Sequence, residues 1–71
     1  MMLTRAEVEA GFVYRPPKPD QVLKYQAIRE SGKQLALTIF DNAPPCADQS
    51  AALRKVREAV MTANAAIALN S

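Results

Sequence analysis

The sequence contains no histidine and no tryptophan, and it has a single cysteine, Cys46. One cysteine excludes a disulfide within the chain, and without histidine or a second cysteine a structural zinc site is excluded too. Chains of about 70 residues rarely bury a core that is stable alone, and disulfides, metals or oligomerisation normally supply the rest. These absences predict that the chain of 71 residues associates with copies of itself or with a partner.

Long apolar runs and a strong charge excess are also missing. No stretch approaches the roughly 20 apolar residues that span a bilayer, and the N-terminus lacks the apolar run of a signal peptide. We therefore expect a cytoplasmic protein without a membrane partner. The net charge of +2 is too small to argue for duplex nucleic acid. Five basic residues nevertheless cluster, either as a solvated face or as an anion site: Arg15, Lys18, Lys24, Arg29 and Lys33.

The residue combinations that carry catalysis are absent as well. The chain has no general-base histidine, no metal-ligand cluster, no glycine-rich phosphate loop and no activated nucleophile pair. Cys46 stands beside prolines with no base in view, which is typical of an inert loop cysteine. We therefore expect a protein that is not an enzyme and that uses no catalytic residue, no metal and no cofactor.

The N-terminal part predicts a short helix followed by a stiff segment, at the start of a single domain over 1–71. The capping box Thr4-Arg5-Ala6-Glu7 begins a helix of about 4–11, with Gly11 as its C-cap. Prolines then dominate residues 16–19 and fix an extended conformation. Asp20 is the expected N-cap of the next helix.

Two long helices are predicted, over about 21–41 and about 48–69, because apolar residues recur there at three- and four-residue spacing. About six residues that include Pro44 and Pro45 join them, a length that suits a helical hairpin. Matched lengths favour an antiparallel pair. The apolar stripes are Tyr25, Ile28, Gly32, Leu35, Ala36 and Ile39 in the first helix, and Leu53, Val56, Val60, Ala63, Asn64 and Ile67 in the second.

A second stripe, of alanines, runs along the last helix: Ala52, Ala59, Ala63 and Ala66. Small residues let another helix approach closely, so this stripe favours contact with another subunit. Gly32 either permits a kink or close backbone approach, or is a tolerated surface glycine. The predicted fold is all-α: a short N-terminal helix plus an antiparallel two-helix hairpin, assembled into a helical homo-oligomer.

Several polar residues are candidates for binding. Arg29 and Lys33 lie four apart on one helix face and repel each other unless an anion bridges them. Tyr14, held by the stiff proline segment, can stack on a flat ring, and an aromatic beside a basic pair is the minimum that a nucleotide needs. Asn64 interrupts an apolar stripe, where an interhelical hydrogen bond is the first interpretation and ligand contact the second. Arg57 also stands out.

Two stretches of the sequence resemble a known family of small phage proteins. The first is Phe12-Val13-Tyr14-Arg15-Pro16-Pro17-Lys18, with Gln21 and then Lys24-Tyr25-Gln26-Ala27-Ile28-Arg29. The second is the closing helix, Ala52-Leu53-Arg54-Lys55-Val56-Arg57-Glu58-Ala59-Val60-Met61-Thr62-Ala63-Asn64-Ala65-Ala66-Ile67-Ala68. The family is the phage nucleotide-sponge family, whose hairpin is shared by anti-CBASS and anti-Thoeris proteins. The resemblance extends from Phe12 to Asn70.

The resemblance implies a fold and a function. Members of the family are helical hairpins that assemble into homo-oligomers, commonly hexamers, and bind cyclic dinucleotides such as 3′,3′-cyclic GMP-AMP between subunits. Some also bind cyclic trinucleotides or cyclic ADP-ribose isomers in separate pockets. They hold the signal without cleaving it. When the family's residue roles are carried over to the matching positions, the resemblance implies that Tyr14 is the stacking tyrosine and Arg29 the phosphate-contacting residue, with Lys33 as the alternative. Arg57 and Asn64 are candidates for a second pocket or an interface.

Two departures from the family pattern bear on these expectations. Thr62 stands where relatives usually carry tryptophan, and Leu69 stands where they often carry arginine, which puts a trinucleotide pocket in doubt. Two other functions remain open on the residues alone. One is a helical hairpin that docks on a partner protein and binds no nucleotide, and the other is a small accessory protein that binds nucleic acid.

Overall fold

The computed structural model describes residues 3–14 and 16–70, so Arg15 of the predicted basic cluster lies outside the described residues. It contains three helices: α1 (Arg5–Ala10), α2 (Pro19–Asn42) and α3 (Ala47–Asn70). No strand occurs among the described residues. The predicted all-α class and the helical hairpin are confirmed: α2 packs along α3. The pair is antiparallel, because the start of α2 contacts the end of α3 through Gln21 and Ile67.

The short helix α1 forms as its capping box predicts. Thr4 is the N-cap, and its hydroxyl oxygen accepts a hydrogen bond from the Glu7 backbone N–H at 3.1 Å. Gly11 is the C-cap but has an ordinary right-handed conformation, with φ −69°, so it does not use the freedom that glycine offers. α1 packs against neither α2 nor α3. A helix of six residues is not stable by itself in water, so α1 needs another surface.

The prediction that Asp20 is the N-cap of α2 is wrong. The helix begins at Pro19, with Lys18 as the N-cap, and Asp20 lies inside the first turn. Proline is favoured at the first helical position because its missing N–H has no partner there anyway, and its fixed φ already suits a helix. Gln21, three residues after the cap, accepts a hydrogen bond from the Lys18 backbone N–H at 2.9 Å. This contact is one half of a capping box, so the start moves ahead of Asp20.

The turn of the hairpin follows from two prolines. Ala43 ends α2 in an extended conformation, with φ −91° and ψ 134°, as a residue before proline should. The link is residues 43–46, shorter than expected because α2 and α3 each continue by one further residue. Gln49 in α3 donates hydrogen bonds to the carbonyl oxygens of Ala43, at 2.8 Å, and Phe40, at 3.3 Å. The turn is therefore held from α3.

The apolar stripes that the sequence predicted form the seam between α2 and α3. All are half-buried except Leu35, whose exposed fraction is 52%. Of the alanine stripe, Ala52 and Ala63 are half-buried, whereas Ala59 and Ala66 face away from the seam and are exposed. No apolar side chain among the described residues is buried, and Gln21 is the one residue of that set that is, at 4% exposure. Two helices cover each other on one side only.

Candidate ligand-binding site

An open groove of about 240 Å³ runs along one side of the seam. Its floor is formed where α2 presents Gly32 and Ala36, two small residues four positions apart. Because Gly32 has no side chain, Val60 of α3 lies against the α2 backbone: a Cβ placed on Gly32 would be 2.5 Å from Val60 Cγ2. Of the alternatives left open for Gly32, the structure shows close approach by a side chain of the other helix. The remaining lining residues are Lys33, Leu53, Val56, Arg57 and Met61.

The structure brings Lys33 and Arg57 together on this groove, although the sequence interpretation had assigned them to different sites. Among the described residues, no carboxylate side chain lines the groove. A second depression next to it, of about 290 Å³, is lined by Arg54, Arg57, Glu58 and Met61. The groove therefore combines an apolar floor with a cationic rim, which suits an anion that carries an apolar or aromatic part.

Arg29 continues this basic face. It lies one turn before Lys33 and is exposed, as Lys33 is. Within the described part of the chain the single ion pair joins Arg5 to Glu9 in α1. Neither Arg29 nor Lys33 is thus neutralised by a carboxylate of the described residues. Two cations spaced in this way attract a phosphate more than they stabilise the helix.

Tyr14 lies on the segment before α2 and is 83% exposed. It is followed, after Arg15, by a proline-rich stretch that leads into α2 at Pro19. Arg29 is ten residues beyond Pro19, which is about 15 Å along a helix. With so much of its ring exposed, Tyr14 is not enclosed by the basic face of its own chain.

Asn64 is half-buried in the seam, but its Oδ1 atom is buried and has no hydrogen-bond partner among the described residues. The interhelical hydrogen bond expected for this oxygen is not found. The side-chain bonds that join the two helices come from Gln21 and Gln49, which the sequence interpretation did not select. Gln21 had one available signal, since a glutamine three residues after a helix cap is typical of a capping box.

Within residues 3–14 and 16–70, no group of three or more histidine, cysteine, aspartate and glutamate side chains lies close enough to hold a metal ion. Among those same residues, no helix combines the length and apolar character that crossing a bilayer requires.

Comparison with known proteins gives one family. The family model described as "Acb2/Tad1, hairpin domain" matches residues 4–68, which is nearly the whole chain. The matched range includes α1, the proline segment, and almost all of the hairpin. No curated protein and no solved structure gives a significant match.

Proposed function

Since the chain belongs to the Acb2/Tad1 hairpin-domain family, the phage cyclic-nucleotide sponges, we propose that it binds a cyclic oligonucleotide immune signal and withholds it from the host's effector. At the family level the function is anti-defence sequestration by binding, not by catalysis. For this chain we propose a cyclic dinucleotide such as 3′,3′-cyclic GMP-AMP, held uncleaved in the host cytoplasm. Effector activation by CBASS would then be blocked by mass action.

The observation that carries this proposal is the unneutralised basic face. A cyclic dinucleotide has two phosphates and two flat bases, and Arg29 and Lys33 present two cations that pair with no described carboxylate. Tyr14 adds an exposed aromatic ring. Stacking of a base on such a ring and charge-assisted bonds to phosphate are the two interactions that tight nucleotide binding needs.

We propose that the pocket forms between chains. The Tyr14 ring is 83% exposed and is therefore not enclosed by its own chain, so a second copy is the natural source of the matching cation. A two-fold interface offers two tyrosines and two cations in equivalent places, which fits a ligand with two bases and two phosphates. The unburied apolar surface supports association: α1 has no packing partner, and no described apolar side chain is fully buried. A hexamer, as in the family, is the assembly we propose.

A second ligand class has a weaker basis. The groove beside Arg57 is the candidate pocket for a cyclic trinucleotide, and Asn64 lies further along the same helix. Leu69 offers no charge where relatives often carry arginine. We therefore propose a cyclic dinucleotide as the main ligand. Arg57 and Asn64 are assigned to a second pocket or to the subunit interface.

Calorimetry with 3′,3′-cyclic GMP-AMP tests the proposal directly. Sequestration needs tight binding, and a dissociation constant of about 10 nM corresponds to about −11 kcal/mol. The complex is then denatured by heat, and the released ligand is identified by chromatography. Recovery of intact ligand is expected. Recovery of a linear product would indicate an enzyme, and absence of binding by any cyclic di- or trinucleotide would exclude the sponge function.

The competing function is a hairpin that docks on another protein. It is favoured by the apolar floor of the groove and by exposed apolar side chains such as Phe12, at 88%, and Leu23, at 70%. On this alternative the same surface binds a foreign helix, and the cations are only solvated. Activity that survives removal of both Tyr14 and Arg29 would favour it.

A further inference from the structure

Gln21 is a polar side chain, and it occupies the one buried position among the described residues, with 4% of its surface exposed. Glutamine is seldom fully buried, and when it is, its amide needs hydrogen-bond partners in both directions. Its position is unusual for a second reason. It lies in the first turn of α2, where the chain passes from the proline segment into the hairpin.

The amide of Gln21 joins two helix ends. Its Oε1 accepts a hydrogen bond from the backbone N–H of Lys18, the N-cap of α2, at 2.9 Å. Its Nε2 donates to the carbonyl oxygen of Ile67, in the last turn of α3, at 3.4 Å. The helix itself supplies no partner for an N-cap N–H, and a carbonyl oxygen can accept more than one hydrogen bond.

Lys18 is the residue of the proline segment whose backbone can donate this hydrogen bond. Pro16, Pro17 and Pro19 have no N–H, so Lys18 carries the one backbone donor between residues 16 and 19. Gln21 takes that donor. Since the same side chain reaches α3, the proline segment is tied to both helices of the hairpin at this point.

The contacts of Gln21 also bear on the position of Tyr14, which precedes the proline segment. The prolines at 16, 17 and 19 make residues 16–19 stiff. Tyr14 precedes this stretch by two positions in the sequence, so a rotation at Lys18 would change the direction in which the chain leads toward the ring. We propose that Gln21 is the positioning residue that fixes the direction of the proline segment, and with it Tyr14, relative to α3. The part that concerns ligand binding rests on the proposed function.

A conservative variant separates this role from simple helix capping. Gln21→Glu keeps an acceptor for the Lys18 N–H, and a carboxylate is favourable in the first turn of a helix. It cannot donate to Ile67, and it sets an anionic oxygen against that carbonyl. Gln21→Met removes both hydrogen bonds without burying a charge. Gln26→Glu is the matched control, because Gln26 is exposed on the same helix.

The first measurement needs no ligand. Spin labels are placed at Phe12→Cys and Ala65→Cys, both exposed sites, in a Cys46→Ser background, and labelled chains are diluted with unlabelled ones. The distance distribution between the labels is expected to be narrow in the parent protein and in Gln26→Glu. It should broaden in Gln21→Glu and Gln21→Met while circular dichroism still reports a folded hairpin. An unchanged distribution in both Gln21 variants would overturn the proposal.

The second measurement is the affinity for 3′,3′-cyclic GMP-AMP. We expect at least a tenfold loss in both Gln21 variants and less than a twofold change in Gln26→Glu. Affinity kept by both Gln21 variants, in a protein whose Tyr14→Ala variant binds more weakly than the parent, would refute the positioning role and leave the proposed function intact. Broadened distances in a protein that binds no cyclic nucleotide would support the role of Gln21 and refute the proposed function.

Discussion

The side chain of Val60 in α3 lies against Gly32 in α2: a Cβ on Gly32 would lie only 2.5 Å from Val60 Cγ2. Valine is branched at Cβ and has few rotamers, so its methyl group cannot swing aside without cost. The same missing side chain forms the floor of the groove between Lys33 and Arg57. One glycine therefore sets both the helix separation and the shape of the candidate site.

Gly32→Ala should destabilise the hairpin even though alanine is the better helix former. Overpacking typically costs about 1–3 kcal/mol, while helix propensity returns up to about 1 kcal/mol. We expect a net loss of about 1–2 kcal/mol in chemical denaturation at fixed protein concentration. Val60→Ala should restore stability in the Gly32→Ala background.

Gly11→Ala is the matched control for that experiment. A Cβ on Gly11 meets a backbone oxygen no closer than 3.4 Å, and its φ of −69° suits any residue. Its stability should stay within about 0.5 kcal/mol of the parent, as for most surface changes. A more stable Gly32→Ala protein would show that the helices have room to move apart.

Gln49→Ala should loosen the closed end of the hairpin. The side chain donates to two carbonyl oxygens, those of Phe40 and Ala43, and each such bond is typically worth about 1 kcal/mol. We expect a loss of about 1–2 kcal/mol by urea denaturation. Gln26→Ala, at an exposed position of α2, is the control and should change little. Equal effects of the two changes would mean that Gln49 makes no specific contribution.

The sequence predicted what depends on local pattern. Periodicity located both long helices, and Pro44 located the end of α2 because it forces Ala43 into an extended conformation. The apolar stripe of α3 is half-buried at every predicted position. The prediction of Asp20 as the N-cap was wrong because the sequence holds two competing start signals. The helix instead starts at Pro19, with Gln21 as the capping side chain.

The composition of the candidate site depends on contacts between residues that are far apart in the sequence. Local sequence patterns do not predict such contacts. Lys33 and Arg57 share a groove only because the register of the hairpin sets Gly32 against Val60. Gln21 and Ile67 are 46 positions apart, so their contact could not be found from local spacing. The position of Tyr14 relative to the basic face depends on the direction of the proline segment, which periodicity does not describe.

Removing the basic side chains should weaken ligand binding without unfolding the protein. Arg29 and Lys33 are both exposed, so Arg29→Ala and Lys33→Ala should keep the melting temperature of the parent. Hydrogen bonds to charged groups are worth about 1.5–3 kcal/mol, which corresponds to about a 10- to 150-fold loss of affinity by calorimetry. Lys55→Ala, an exposed cation of α3 outside the groove, should bind as the parent does. A uniform effect of all three changes would point to a general charge effect instead of a site.

The ring of Tyr14 should matter more than its hydroxyl. Stacking of a base on an aromatic side chain is worth about 1–3 kcal/mol, so Tyr14→Ala should weaken binding of 3′,3′-cyclic GMP-AMP by about 5- to 150-fold. Tyr14→Phe keeps the ring and should stay close to the parent. Because Tyr14 is 83% exposed in one chain, neither change should lower the stability of the hairpin, and light scattering should give the parent's mass. If both variants bind normally and protect phage as the parent does, Tyr14 is not part of the pocket and the protein-docking alternative gains support.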